Sequence, residues 1–171
     1  MQGIVFWATL AVLAVAVATD VRSRRIPNWL VLPFLAVGII FSGVSGGWGG
    51  IGHSVKGIGV AVGIVGVVCY LRGLGLGDLK LCAALGAWLG PGQMIFALVA
   101  TAVAGGFLAV GHGLWHGSLG RHLDGARDLV VGLVRGGFRP HPSMRLDNPE
   151  AVKLPYAVAI AIGTMFSFLA R

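Results

Sequence analysis

Six long apolar runs account for most of this 171-residue sequence and restrict how it can fold. The chain is 56% hydrophobic and 11% charged, whereas about 25% of residues in an ordinary soluble domain are charged. A membrane-spanning helix needs about 20 mostly apolar residues. The runs cover residues 3–19, 29–44, 54–71, 79–89, 94 to about 110, and 151–170. We therefore expect an all-α, polytopic membrane protein with about six transmembrane helices, formed as a single membrane-embedded domain over residues 1–171.

Glycine and proline separate several of these runs. Residues 45–52 predict a glycine-rich turn, and Gly90-Pro91-Gly92 closes the fourth run. That run is short for a span, so we expect it either to begin in the preceding glycine-rich stretch or to lie in a thinned, protein-lined region. Small residues favour close helix packing in lipid, and the third run contains a GxxxG pair, Gly59 and Gly63.

The longest polar segment lies at about residues 112–150, between the fifth and sixth runs. Its apolar residues recur at helical spacing, and its basic residues mostly lie off that stripe. The pattern is typical of an interfacial amphipathic helix on a membrane surface. A solvated connecting helix explains it equally well, and both interpretations stay open.

Lysine and arginine are distributed unevenly between the two sides of this topology. The side reached at the end of the first run carries eleven of them, against two, Lys56 and Arg171, on the other. By the positive-inside rule that richer side is cytoplasmic. We therefore expect a multi-pass protein of the cell (inner) membrane with an external N-terminus. The formal charge of +7 then reflects topology and contact with membrane lipids, and we expect no nucleic-acid partner.

Two acidic residues meet on the cytoplasmic side. Asp20 ends the first run, and Asp78 stands between the third and fourth runs, after the glycines of residues 73–77. Two carboxylates in a low-dielectric site cannot both ionise cheaply, so they share a proton. One then acts as general base on a water while the other donates a proton to the carbonyl oxygen under attack. The pair predicts an aspartic endopeptidase that needs neither a metal nor a cofactor.

A simpler role is open to each of these residues. Asp78 would serve as the N-cap of the fourth helix. Asp20 would flank the membrane and pair with Arg22 or Arg24, and Lys80 would anchor a helix end on the cytoplasmic side. Catalysis by the pair is the stronger hypothesis, because the Lys and Arg distribution alone places both acids together.

Three ordered segments resemble the prepilin peptidases, which are GxGD-type membrane aspartic proteases that remove leaders from type IV pilins and related pseudopilins. Asp20 is followed by residues 24–28 (RRIPN), residues 75–81 (GLGDLKL) match the GxGDxKL pattern, and residues 154–160 (LPYAVAI) resemble a PYGxAI segment. The resemblance implies that Asp20 and Asp78 are catalytic. It also implies substrate-binding or site-shaping roles for Pro27, Asn28, Gly75, Gly77, Lys80, Pro155 and Tyr156.

The resemblance also implies a substrate, a single-spanning prepilin or pseudopilin whose short basic leader is cleaved after a glycine at the cytoplasmic face. Larger bifunctional members carry a cytoplasmic insert with two CxxC pairs between the first two helices and also methylate the new N-terminus. Here that connection is only residues 21–28, so we expect no zinc domain and do not expect methyl transfer. This compact form resembles the peptidases of tight-adherence (Flp-type) pilus systems. Ala157 stands where the family usually has glycine.

Other functions share some of these features. An intramembrane protease of the signal-peptide-peptidase type also has GxGD, but usually has more helices and cuts deeper in the membrane. A proton-coupled transporter would use Asp20 and Asp78 as a relay, and a pilus-assembly scaffold would keep the fold without the activity. His112 and His116 have helical spacing, but no third ligand stands nearby, so we predict no metal site. The oligomeric state is left open.

Overall fold

The computed structural model describes residues 2–70, 74–115 and 156–170. These residues form α1 (Gln2–Ser23), α2 (Asn28–Tyr70), α3 (Leu76–Trp115) and α4 (Tyr156–Leu169). The described part of the chain is helical, as the apolar runs predicted. The polar segment for which an amphipathic helix was one interpretation lies mostly outside the described residues.

A short, tightly held connection joins α1 to α2. Arg24 has a left-handed backbone (φ 51°), and its N–H donates to the Asp20 carbonyl oxygen at 2.8 Å, so α1 ends there. The Pro27 carbonyl then accepts the N–H groups of Leu30 (3.2 Å) and Val31 (3.4 Å) and opens α2. A proline suits a helix start, because its missing N–H would have no intrahelical acceptor. This connection therefore holds the C-terminal end of α1 beside the N-terminal end of α2.

The chain reverses within α2 at Gly47. This residue has φ 57° and ψ −144°, a conformation essentially restricted to glycine. A side chain on Gly50 would collide with the Ser42 carbonyl oxygen, whereas residues eight apart in a straight helix lie about 12 Å apart. The turn predicted over residues 45–52 is therefore narrower than expected, because only Gly47 leaves helical geometry.

The chain reverses again within α3 at Gly90 (φ 73°, ψ 178°). Asp78 and Thr101 line the same cavity, although a straight helix would separate them by about 35 Å. The first half of α3 begins at Leu76, inside the glycine-rich stretch. The short fourth run thus gains length at its N-terminal end, which is one of the two arrangements that the sequence left open.

The two halves of α2 pack closely against the first half of α3. Trp88 stacks on Phe34 and Phe41, with ring centroids 5.0 and 5.3 Å apart, and its Nε1–H donates to the Phe34 carbonyl at 2.9 Å. On the other side the backbones of Gly57 and Gly86 touch, so that a side chain on Gly57 would overlap the Gly86 carbonyl oxygen. The first half of α3 is therefore the buried centre of the fold.

The GxxxG pair predicted as a packing motif does not make this contact. A side chain on Gly59 or Gly63 would meet no atom within 4 Å. Each residue turns a helix by about 100°, so Gly59 faces away from the side on which Gly57 packs. A glycine of this helix does pack closely against α3, but it is Gly57 and not Gly59 or Gly63.

Three helical stretches are long and apolar enough to cross a membrane. They are Gly3–Ser23, Asn28–Tyr70 and Leu76–Gly111, with mean hydropathies of 2.2, 2.0 and 2.2. Tyr156–Leu169 is apolar but shorter, with 14 residues. Large apolar side chains are exposed on the outer surface, for example Trp48 (88%) and Phe107 (75%). These features are those of an integral membrane protein whose outer surface contacts lipid.

We predict that Gly57→Ala lowers the free energy of unfolding by about 1–3 kcal/mol, because the added methyl group overpacks a backbone contact. Gly59→Ala is the matched control in the same helix. It should be neutral or stabilising by up to about 1 kcal/mol, since alanine restricts the unfolded chain. Thermal unfolding of the purified protein in detergent measures both. Equal effects of the two substitutions would contradict the packing described here.

Candidate active site

A polar cavity of about 360 Å³ lies where the ends of α1, α2 and α3 meet. Its lining comes entirely from residues 20–28 and 75–81, the first two segments singled out in the sequence. Six of the predicted site residues line it: Asp20, Asn28, Gly75, Gly77, Asp78 and Lys80. Four residues that were not predicted as site residues complete the lining: Arg24, Arg25, Ile26 and Leu76. All four stand inside the segments RRIPN (24–28) and GLGDLKL (75–81), which is the signal that could have identified them.

Asp20 is held in the last turn of α1 with 9% of its surface exposed. Its Oδ2 accepts a hydrogen bond from the Ala157 N–H at 3.2 Å, in the first turn of α4. The first N–H groups of a helix have no intrahelical acceptor and carry partial positive charge. Asp20 therefore caps α4 from a different helix. Among the described residues its hydrogen-bond partner is this N–H, not the guanidinium of Arg22 or Arg24.

Asp78 stands in the first turn of α3, as its third residue. The Gly75 carbonyl accepts the Leu79 N–H at 3.3 Å, which makes Gly75 the N-cap. The Asp78 Oδ2 reaches back to accept the Gly75 N–H, also at 3.3 Å. In a capping box the side chain of the third helical residue accepts the N–H of the N-cap residue, and the bond from Gly75 to Asp78 is that half of the motif. The N-cap is thus Gly75, three residues before Asp78, and the alternative role of Asp78 as N-cap was wrong. The Asp78 side chain still stabilises the start of the helix, because it accepts the Gly75 N–H.

Lys80 and Asn28 connect two of the helix ends around the cavity. The Lys80 Nζ donates to the Asn28 Oδ1 at 3.1 Å, joining the starts of α3 and α2. Pro27 does not line the cavity, and acts instead through its carbonyl at the start of α2. Lys80, Arg24 and Arg25 are the basic residues among those that line the cavity.

Tyr156 lies on the other side of Asp78, at a second cavity of about 120 Å³. This apolar cavity is lined by Asp78, Cys82, Thr101 and Tyr156 together with aliphatic side chains. Cys82 follows Asp78 by one helical turn, so spacing alone could have identified it. Thr101 comes from beyond the reversal at Gly90, and the sequence carried no signal for it. Pro155 falls outside the described residues.

The chemistry available in the polar cavity is that of two carboxylates. Within residues 2–70, 74–115 and 156–170, no group of three or more His, Cys, Asp or Glu side chains is positioned to hold a metal ion. The side chains of His112 and His116 lie outside what the structure describes. Asp20 and Asp78 each commit Oδ2 to a backbone N–H, and these bonds fix both carboxylates toward one cavity.

Comparison with known proteins identifies the family. The model of the type IV leader peptidase family matches residues 7–110, which is more than half of the chain and includes both acids. The chain belongs to the type IV leader peptidase family. No solved structure matches it.

Several curated relatives of this leader peptidase family member are named prepilin leader peptidase/N-methyltransferase. The protein from Aeromonas hydrophila is 32% identical over 120 residues, covering 61% of this chain and 40% of the relative. That from Pectobacterium carotovorum is 31% identical over 151 residues (80% and 51%). That from Escherichia coli K12 is 39% identical over 77 residues (42% and 34%). The matches thus span about half or less of each relative's length.

The cap on α4 predicts a difference between two substitutions of Asp20. Asp20→Asn and Asp20→Ala both remove the charge, but asparagine keeps an oxygen that accepts the Ala157 N–H. We expect the asparagine variant to be more stable than the alanine variant by about 1 kcal/mol, the usual value of a helix cap. Thermal unfolding in detergent provides the measurement. Two variants of equal stability would mean that the bond contributes nothing to holding α4.

Proposed function

We propose that this protein is a prepilin leader peptidase, an aspartic endopeptidase of the cell membrane. Its substrate would be a type IV or Flp-type prepilin or pseudopilin, cut after the glycine that ends a short basic leader. One observation carries the proposal: Asp20 and Asp78, far apart in the sequence, line the same polar cavity. Membership of the type IV leader peptidase family supports it independently.

In the proposed mechanism the two carboxylates share one proton. The ionised carboxylate removes a proton from a water molecule, whose oxygen attacks the carbonyl carbon of the scissile peptide. The protonated carboxylate donates its proton to the carbonyl oxygen, so no oxyanion is left uncompensated. As the tetrahedral intermediate collapses, the carbon–nitrogen bond breaks and the proton held by the first carboxylate passes to the leaving amine. One hydroxyl of the intermediate returns a proton to the second carboxylate as the carbonyl re-forms, so the pair again holds one proton. The products are a carboxylic acid on the leader, which then ionises, and an amino N-terminus on the mature chain.

The connection between α1 and α2 supports a peptidase without methyl transfer. The curated relatives carry both activities in their names, but the matches cover about half or less of their length. In this protein only residues 24–27 separate Ser23 from Asn28. This connection leaves no room for a zinc-binding insert at that point. We therefore assign leader cleavage alone to the described chain.

We further propose six membrane spans with the active site on the cytoplasmic side. The reversals at Gly47 and Gly90 support this count, because each divides a long helix into two stretches that run back beside each other. α1 and the segment containing α4 supply the remaining two spans. The Lys and Arg distribution places the polar cavity at the cytoplasmic face. A substrate leader exposed to the cytoplasm would meet the two acids there.

Removing either carboxylate should abolish leader cleavage. We expect Asp20→Asn and Asp78→Asn each to lower the cleavage rate by about 10²–10⁴-fold, the usual contribution of a general acid or base. Co-expression with a candidate prepilin, scored by the mobility shift on leader loss, measures it. Asp124→Asn, in the polar segment, is the matched control and should retain cleavage.

The same experiment separates the competing functions. Full processing by either dyad variant would exclude the aspartic mechanism. A scaffold would give no processing with wild-type protein. A proton-coupled transporter would lose proton flux in the variants without ever cleaving a leader.

The proposed topology predicts the location of two reporter fusions. A reporter that is active only outside the cytoplasm should be active after Gly49 and inactive after Arg135, because the positive-inside rule places these points on opposite sides. Enzymatic activity of each fusion in intact cells is the measurement. Activity after Arg135 and none after Gly49 would place the polar cavity on the external face.

A further inference from the structure

We propose that the apolar cavity behind Asp78 binds the side chain of the substrate residue directly after the scissile bond, and that its lining selects that residue. The inference rests on the proposed leader-peptidase function and adds a specificity site to it. Its basis is that one residue, Asp78, lines two cavities, one with many charged residues in its lining and one almost entirely apolar. Asp78 lines the polar cavity, which contains Asp20, and also the apolar cavity, which contains Cys82 and Thr101.

The lining of the apolar cavity suits an aliphatic group. Val65, Cys82 and Ile160 are 5%, 2% and 2% exposed and form its inner wall. Thr101 presents no unsatisfied hydroxyl, because its Oγ1 donates to the Ala97 carbonyl at 2.7 Å. Asp78 is the only charged side chain among the residues that line it. A polar substrate side chain would lose its hydration there and find few partners, chiefly the Asp78 carboxyl and the Tyr156 hydroxyl.

The volume of the cavity limits the size of the occupant. It measures about 120 Å³, and an engineered apolar cavity of about 150 Å³ holds benzene. A valine or leucine side chain therefore fits, and an indole ring does not fit without displacing the wall. Discrimination by such a cavity is substantial, since one methylene group in an apolar pocket changes kcat/KM by about 10–200-fold.

The position of the cavity indicates which side of the scissile bond it serves. The polar cavity lies among helix ends and carries Arg24, Arg25 and Lys80. The apolar cavity continues from Asp78 along the helices toward Leu98. A peptide crossing Asp78 therefore passes from polar to apolar surroundings. In the proposed substrate the leader is polar and the mature chain begins an apolar span, so the first mature residue faces the apolar cavity.

The outer wall of this cavity reaches the membrane-facing surface. Ile64 lines the cavity and is 48% exposed, and Ala102 is an exposed lining residue on the facing half of α3. Part of the cavity lining therefore lies on the outer surface of the second halves of α2 and α3.

The test compares substrates that differ only at the first mature residue. Precursors with Ala, Val, Leu or Trp directly after the leader glycine are cleaved by the purified full-length protein, and kcat/KM is measured for each. For wild type we expect Val and Leu to exceed both Ala and Trp. Ala102→Leu fills the cavity and should lower the Leu-to-Ala ratio of kcat/KM by at least tenfold. Val68→Ala enlarges it and should raise the Trp-to-Leu ratio.

These ratios do not depend on how much of a variant folds, because both substrates are measured on the same preparation. Ala14→Leu is the matched control, since Ala14 is exposed on α1 and lines neither cavity. It should leave the Leu-to-Ala ratio within twofold of wild type. If Ala102→Leu and Val68→Ala slow all substrates equally, the proposal of a specificity site is wrong, whereas the proposed peptidase function is unaffected. If wild type cleaves no precursor, the proposed function fails and the specificity site fails with it.

Discussion

The hydrogen bond between the Asp20 carboxylate and the Ala157 N–H connects the parts of this site that are most distant in the sequence. α1 packs chiefly against α4, and this bond lies at the end of that contact. It places a negative side chain at the positive end of a helix, in surroundings with little water to compete. Because α4 also carries Tyr156, the same bond positions one wall of the apolar cavity. A single interaction therefore serves stability and site geometry together.

The glycines serve the site by allowing close approach more than by providing flexibility. Gly47 and Gly90 allow two sharp reversals, and the bare backbones of Gly57 and Gly86 allow the reversed helices to touch. These contacts bury the first half of α3, where Leu81, Ala84 and Leu85 have no exposed surface. Asp78 thus begins a helix that packing holds rigidly on several sides. A carboxylate at a rigid helix start keeps its orientation without having to bind a metal ion.

The sequence predicted six of the ten residues that line the polar cavity, because all ten lie in two short segments next to helix ends. It predicted both chain reversals, since glycine and proline interrupt the apolar runs there. It failed where the answer depended on which face a helix presents. Gly59 and Gly63 matched a packing motif, but neither packs against α3 as Gly57 does. In a helix that is apolar all round, no amphipathic pattern marks the packed face.

Asp78 lies between a polar and an apolar cavity. This position gives a physical reason why peptide cleavage by two carboxylates, as proposed, would take place at a membrane surface. In the proposed mechanism cleavage consumes a water molecule, which the polar cavity can supply because charged side chains line it. A carboxylate pair that shares a proton instead favours low-dielectric surroundings, which the buried helices provide. Bulk water meets only the first requirement, and the middle of the bilayer meets only the second. The proposed site combines the two, because α3 begins beside the ends of α1 and α2 with a polar cavity on one side of Asp78 and an apolar cavity on the other.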